Sequence, residues 1–213
     1  MKAGEIIREA RDEHPSFTEQ AHPDGVLLRS LSTYERELMN KVAVLDRSRY
    51  ATFQDIALPF PSFEAGVTVN EYVLPVAVEV YSAQPTPRWA KVQIVGWSGR
   101  LKFFRAAVLR GRNLSLTGRP EDWTPFSKLR FHYVAAPARL DSLDSVLTLD
   151  EDARRVLVSY LVHVMGWRST GRTDLPGSLA ADMTMRWQAQ EANFLDVVAR
   201  RANAQYSVMT EVV

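Results

Sequence analysis

Apolar positions recur by threes and fours in several stretches of the chain and by twos in the region between them, and that contrast predicts its elements. Ile6, Ile7 and Ala10 fall on one side of a short helix over 5–11, ended by His14-Pro15. A loop follows, with Phe17 as its one large apolar group, expected to tuck against the neighbouring helices. After His22-Pro23, a longer helix is predicted over 24–46 from Leu27, Leu31, Tyr34, Leu38, Val42 and Leu45, with Arg29, Glu35, Arg36 and Lys41 on its opposite face. From Tyr50 the period changes. Phe53, Ile56 and Leu58 lead to a break at Pro59, Phe60 and Pro61, and strand-like segments follow over 68–74, 76–81, 90–97, 101–109, 114–117 and 128–134. Clusters of Gly, Pro, Asn and Ser separate them.

The junction between sheet and helix lies over 129–167. Leu129, Phe131 and Tyr133 alternate with Arg130 and His132, and Ala135, Ala136 and Pro137 stop the strand. Beyond an acidic linker, Thr148 and Glu151 have the spacing of a capping box, and Asp150, Glu151 and Asp152 suit the positive end of a helix dipole. Val156, Leu157, Tyr160, Leu161, Val164 and Met165 carry that helix to Gly166, expected to end it in a left-handed turn. A polar loop over 168–177 leads to a last helix over 178–202, with Leu179, Met183, Trp187, Phe194 and Val198 on one side.

Helices, strands, then helices again predict an α+β protein. Neither terminal helix pair can bury its apolar face alone, so the expected packing is a four-helix bundle formed by the N- and C-terminal pairs, with an inserted antiparallel β-sandwich or small barrel. The corresponding division is 1–49 with 148–213 for the bundle and 50–147 for the β insertion. The segment 203–213 is expected to be extended, either disordered or adding to a partner chain, with Tyr206, Val208, Met209, Val212 and Val213 as its apolar residues.

Composition narrows the chemistry. A net charge of +1 over 213 residues argues against wholesale nucleic-acid or membrane binding. The absence of cysteine excludes disulfides, thiolate chemistry and Cys-type zinc sites. No apolar run approaches a membrane span, and the first residues are too charged for a secretory signal, so the chain is expected to be made in the cytoplasm. His14, His22, His132 and His163 form no ligand cluster, so no metal or cofactor is expected. Asp141 and Asp144 offer only a weak case for a carbohydrate-binding or hydrolytic site, and no phosphate-binding or nucleophile-elbow motif is present, so no enzyme is expected.

Charge segregation is the remaining signal. No acidic residue occurs between Glu79 and Glu121, while Arg88, Lys91, Arg100, Lys102, Arg105, Arg110, Arg112 and Arg119 do, among Trp89, Trp97, Phe103 and Phe104. Basic strands with aromatics are one route to single-stranded nucleic-acid binding. The plainer reading puts the aromatics in a core and the arginines in solvent or against an acidic partner.

The layout also resembles the head-to-tail adaptor (connector) proteins of tailed bacteriophages. The resemblance is carried by Ala3-Gly4-Glu5-Ile6-Ile7, by the second helix around Leu28 to Leu38, and by the run Leu129-Arg130-Phe131-His132-Tyr133-Val134-Ala135-Ala136-Pro137. It continues through Leu140, Asp141 and Ser142 to Leu147-Thr148-Leu149. The tryptophan that often leads into the second helix of such proteins is missing, and the β block is larger than in the minimal members. The resemblance implies a structural protein of the virion neck, assembled in the host cytoplasm, with no catalytic, cofactor or metal residues. Such adaptors form a twelve-fold ring, so the implied partners are neighbouring copies, the portal protein, a tail or nozzle/stopper protein, and genome DNA in transit, with no membrane. It implies portal docking by Tyr206, Val208, Met209, Val212 and Val213. It also implies a DNA-channel or tail-ring contact by Arg100, Lys102, Arg105, Arg110, Arg112 and Arg119.

Overall fold

The computed structural model describes residues 1–60, 65–83, 86–95, 105–170 and 175–210, with side chains through 204. The chain divides into a helical unit, Met1–Asp46 with Pro137–Val213, and a β unit, Arg47–Ala136. The segment from Pro137, which the sequence pattern grouped with the β insertion, belongs to the helical unit.

The helical unit holds α1 (Ala3–Asp12), α2 (Asp24–Leu45), α3 (Arg154–Ser169) and α4 (Gly177–Thr210). Its helices are not two terminal pairs making a four-helix bundle. Instead α3 packs against each of the other three, and α1 lies more on α3 than on α2. The reason is the wide apolar surface of α3. Val156, Leu157, Val158, Leu161, Val162 and Met165 are all buried, and a helix that is apolar over most of its circumference needs neighbours on several sides. The short α1, about 15 Å long, covers only one end of that surface.

Two local expectations change because a segment distant in sequence intervenes. Gly166 does not end α3, which continues to Ser169; a Cβ at Gly166 would lie 2.6 Å from the Met183 sulfur, so the missing side chain admits α4. The Thr148–Glu151 capping box does not form. Glu35, predicted on the polar face of α2, is buried, and its Oε1 accepts the backbone N–H groups of Thr148 (2.5 Å) and Leu149 (3.2 Å), while Glu151 pairs with Arg154. The 203–210 part of the expected extended tail is instead the end of α4, whose sequence after Gly177 contains no Gly or Pro to stop it.

The β unit is a single curled sheet of seven strands in the order β1-β7-β3-β4-β5-β6-β2, not an antiparallel sandwich or closed barrel. The strands are β1 (Ala51–Ala57), β2 (Val67–Thr68), β3 (Tyr72–Ser82), β4 (Arg88–Val95), β5 (Ala106–Arg110), β6 (Asn113–Leu116) and β7 (Phe126–Ala135). It is mixed because β4 and β5 pair in parallel. Parallel neighbours need a crossover rather than a tight turn; the Ser98-Gly99 turn signal and the first part of the predicted strand 101–109 lie outside the described residues. Predicted strands 68–74 and 76–81 largely merge in β3. Pro75 is tolerated there because it faces β7 beside a register shift, while pairing with β4 begins only at Val78. One face wraps around Ile56, Val78, Val80, Leu114, Trp123, Leu129 and Phe131. Between β5 and β6, Gly111 takes φ +55°, matching the first central position of a two-residue hairpin turn.

Candidate functional site

The register of β1, β7, β3 and β4 brings one set of polar and aromatic side chains onto the face opposite that core. Along β7, Leu129, Phe131 and Tyr133 point into the core, so Lys128, Arg130 and His132 point the other way. Cross-strand pairing sets Phe53 beside His132 and Asp55 beside Arg130. On the other flank of β7, Glu79 lies beside Arg130 and Tyr81 beside Lys128. One strand further, Lys91 faces Glu79 and Trp89 faces Tyr81.

Arg130 is the centre of this face. Its Nε and Nη2 donate to the two oxygens of Asp55 at 2.7 and 2.9 Å, a bidentate pair. Its guanidinium carbon lies 4.1 Å from the Phe53 ring centroid and 4.4 Å from that of Trp89, so aromatic rings from two different strands hold it. The Arg130 guanidinium holds the Asp55 carboxyl below the usual carboxylate range. Trp89 meets Tyr81 at 5.2 Å, and His132 Nε2 lies 3.0 Å from Glu79 Oε2. Both carboxylates of the face are thus engaged, whereas Lys91 and Lys128 are exposed and make no ion pair among the described residues. Phe53 is 52% exposed.

The basic residues singled out from the sequence are not gathered in the same way. Arg100 and Lys102 lie outside the described residues. Arg105 stands 4.0 Å from Asp122 and over the Phe126 ring at 5.8 Å, beside a groove of about 350 Å³ that Trp123, Phe126 and Lys91 also line. Arg110 ends β5. Arg112 Nε donates to the Val69 carbonyl at 3.1 Å, tying the hairpin turn to the chain after β2. Arg119 precedes the 3-10 turn Pro120–Trp123, where its N–H donates to Asp122 and its guanidinium lies 4.0 Å from Glu121. Several of these arginines therefore serve local structure. Tyr206, Val208 and Met209 lie in α4 by backbone, with their side chains outside the described residues, as are Val212 and Val213 entirely.

A second cluster fills the meeting of α2, α3 and α4. The Tyr34 hydroxyl donates to Glu191 at 2.6 Å and accepts from the Trp187 indole at 2.8 Å, and its ring stacks on Tyr160 at 3.9 Å. Lys41 closes the set at 2.6 Å from Glu191. The Thr184 hydroxyl donates to the Ala180 carbonyl, so its oxygen accepts from Trp167 Nε1 and from His163 Nδ1, which must carry the ring proton. Burial lowers the His163 pKa. Tyr34, Glu191, Lys41, Trp187, Trp167 and Thr184 all find partners within it, which makes it a packing element.

Asp141 and Asp144 are exposed, paired with Arg139 and Lys2. Among the described residues no group of three His, Cys, Asp or Glu side chains is placed to hold a metal ion, and no helix is long and apolar enough to cross a membrane. The sequence leaves Trp89 open between a core aromatic and a stacking surface; its register opposite Tyr81, on the face of Arg130, separates it from the core. Comparison with known proteins finds no matching family model and no matching curated relative.

Proposed function

We propose that the chain is a structural virion protein, the head-to-tail adaptor of a tailed bacteriophage, assembling as a ring between portal and tail around the DNA channel. One observation carries the reading. The short segments on which the resemblance rests are distant in sequence, yet three of them interlock in the helical unit. Ala3 and Gly4 donate backbone hydrogen bonds to Ser145 and Leu143, at 2.9 and 2.8 Å, and Leu147 donates to Met1 at 3.1 Å. Gly4 suits the close approach at this crossing, since a Cβ would sit 3.0 Å from the Leu143 carbonyl oxygen. From the second helix, Glu35 takes the N–H groups of Thr148 and Leu149. These three segments thus build one substructure of the helical unit, while the run 129–137 lies mostly in β7 of the β unit.

The long last helix supports the docking part of the proposal. At 34 residues α4 is about 51 Å long, far longer than the 16-residue α3 against which it packs. Its end carries Tyr206 and Met209 three residues apart, a spacing suited to a helix laid in a groove rather than to an added strand. The β unit is then left to meet the tail ring or the passing genome, and a ring of copies lets weak contacts sum to firm attachment.

The test is co-sedimentation of the full chain with the portal ring encoded by the same genome, followed by negative-stain imaging. A saturating symmetric layer at one end of the portal is the expected result, and a chain ending at Ala202 should stay folded and lose it. No association of the full chain overturns the adaptor reading. Undiminished binding by the shortened chain removes the last helical turns from it.

A further inference from the structure

The outward face of β1, β7, β3 and β4 carries more organisation than solubility requires. Its two carboxylates are engaged within the face, Asp55 in an ion pair with Arg130 and Glu79 in contact with His132 at 3.0 Å, and its two exposed lysines are left without an ion pair among the described residues. Lys128 flanks Tyr81 on β7, and Lys91 lies two residues beyond Trp89 on β4. Strand spacing and rise per residue put these lysine positions about 12 Å apart, with the Tyr81–Trp89 ring pair beside the line between them. At the far corner Phe53 is half exposed, with one side held by Arg130.

We infer that this face binds single-stranded nucleic acid, with phosphates at Lys91 and Lys128 and unstacked bases on the exposed ring of Phe53 and the partly exposed ring of Tyr81. The ligand class follows from the pairing of features. Unpaired cations alone attract any polyanion, including duplex DNA or an acidic polypeptide. Aromatic rings held upright by a guanidinium favour a ligand that has both phosphates and free π-faces, and a base inside a duplex offers no free face. Arg130 keeps the platform rigid, since its bidentate bond to Asp55 fixes the guanidinium against which Phe53 and Trp89 pack. The inference is tested apart from the adaptor reading, because the portal docking proposed above rests on the end of α4 and not on this face.

The test is fluorescence anisotropy of the full chain with a labelled 20-nucleotide oligo-dT, at 50 and 200 mM NaCl. Two phosphate contacts predict a dissociation constant that rises about sevenfold between those salt concentrations. Lys91→Ser with Lys128→Ser should remove most of that salt dependence, and Phe53→Ala should weaken binding about 5- to 150-fold. All three positions are exposed, so the variants should keep the wild-type circular dichroism. Absence of binding at 50 mM NaCl overturns the inference. So does equal binding of a 20-base-pair duplex, or displacement of the oligonucleotide by polyglutamate at the same charge concentration, since either leaves the rings without a role.

Discussion

Replacing Glu35 tests the packing logic of the helical unit at one atom. The side chain is 1% exposed, Oε1 accepts two backbone N–H groups at the entry to α3, and Oε2 is buried with no hydrogen-bond partner. Burial pushes the carboxyl above the usual range, and the two donated hydrogen bonds only partly oppose that. Glu35→Ala leaves both N–H groups without an acceptor, at about 1–3 kcal/mol each, so unfolding free energy should fall by about 2–6 kcal/mol. Glu35→Gln keeps an oxygen for both donors. Its amide also resembles the protonated acid, with a donor where Oε2 stands, so below pH 4.5 it should lie within about 1 kcal/mol of wild type. The sign of the pH effect follows from linkage. A raised folded-state pKa means that the stabilisation is complete below the ordinary value of 4.5 and is lost as pH rises through the folded value. The glutamine variant should therefore gain on wild type between pH 4 and pH 7. Urea denaturation of the three proteins at both pH values measures this. A glutamine variant as unstable as the alanine variant, or a gap to wild type that does not change with pH, refutes the argument.

Arg130→Met removes both the bidentate bond and the charge, so the Asp55 carboxyl should return upward toward its ordinary range; carbon-detected NMR titration reads the shift, and an unmoved Asp55 contradicts the pairing. With Arg130 present, the stabilisation linked to Asp55 holds above its ordinary pKa and is lost as pH falls through the depressed value. At Gly111, where a Cβ meets nothing within 4 Å, alanine should cost about 1–2 kcal/mol through its positive φ alone, seen as a lowered thermal midpoint. His163 should titrate below the ordinary histidine value because of its burial, with the neutral ring's proton on Nδ1, visible in long-range nitrogen–proton spectra across a pH titration; Thr184→Val should remove that tautomer's fixed partner and shift the Trp167 emission.

The positions of α1, α2 and α3 and most strands were legible because their patterns are local. Ile6, Ile7 and Ala10 repeat at the helical period and are buried; Leu129, Phe131 and Tyr133 repeat at the strand period and are buried. Departures arise where a distant segment decides the outcome. Glu35 falls on the polar side of α2 by periodicity, but the chain over 140–149 folds back over it and turns a surface acid into a buried acceptor. Gly166 has the composition of a helix stop, yet it serves the approach of Met183 from a helix that begins at Gly177. Pro75 suggests a strand boundary until the register with β4 places it just outside the paired region.

The candidate site depends on pairing in the same way. Arg130 and His132 were placed opposite the core residues of β7 by alternation alone, but what they meet was set by the order of the strands. Phe53 comes from an edge strand whose pattern, with only Ile56 fully buried, is too weak to announce itself. Trp89 comes from the other side of β3. Proximity in sequence does not by itself put basic residues on one face: Arg112 is engaged with the Val69 carbonyl, while Lys128 belongs to a different strand and joins Lys91 on one face through β3. A basic stretch becomes a surface when the register aligns its charges, and in this chain the register brings lysines from β4 and β7 onto the face that carries Phe53, Tyr81 and Trp89.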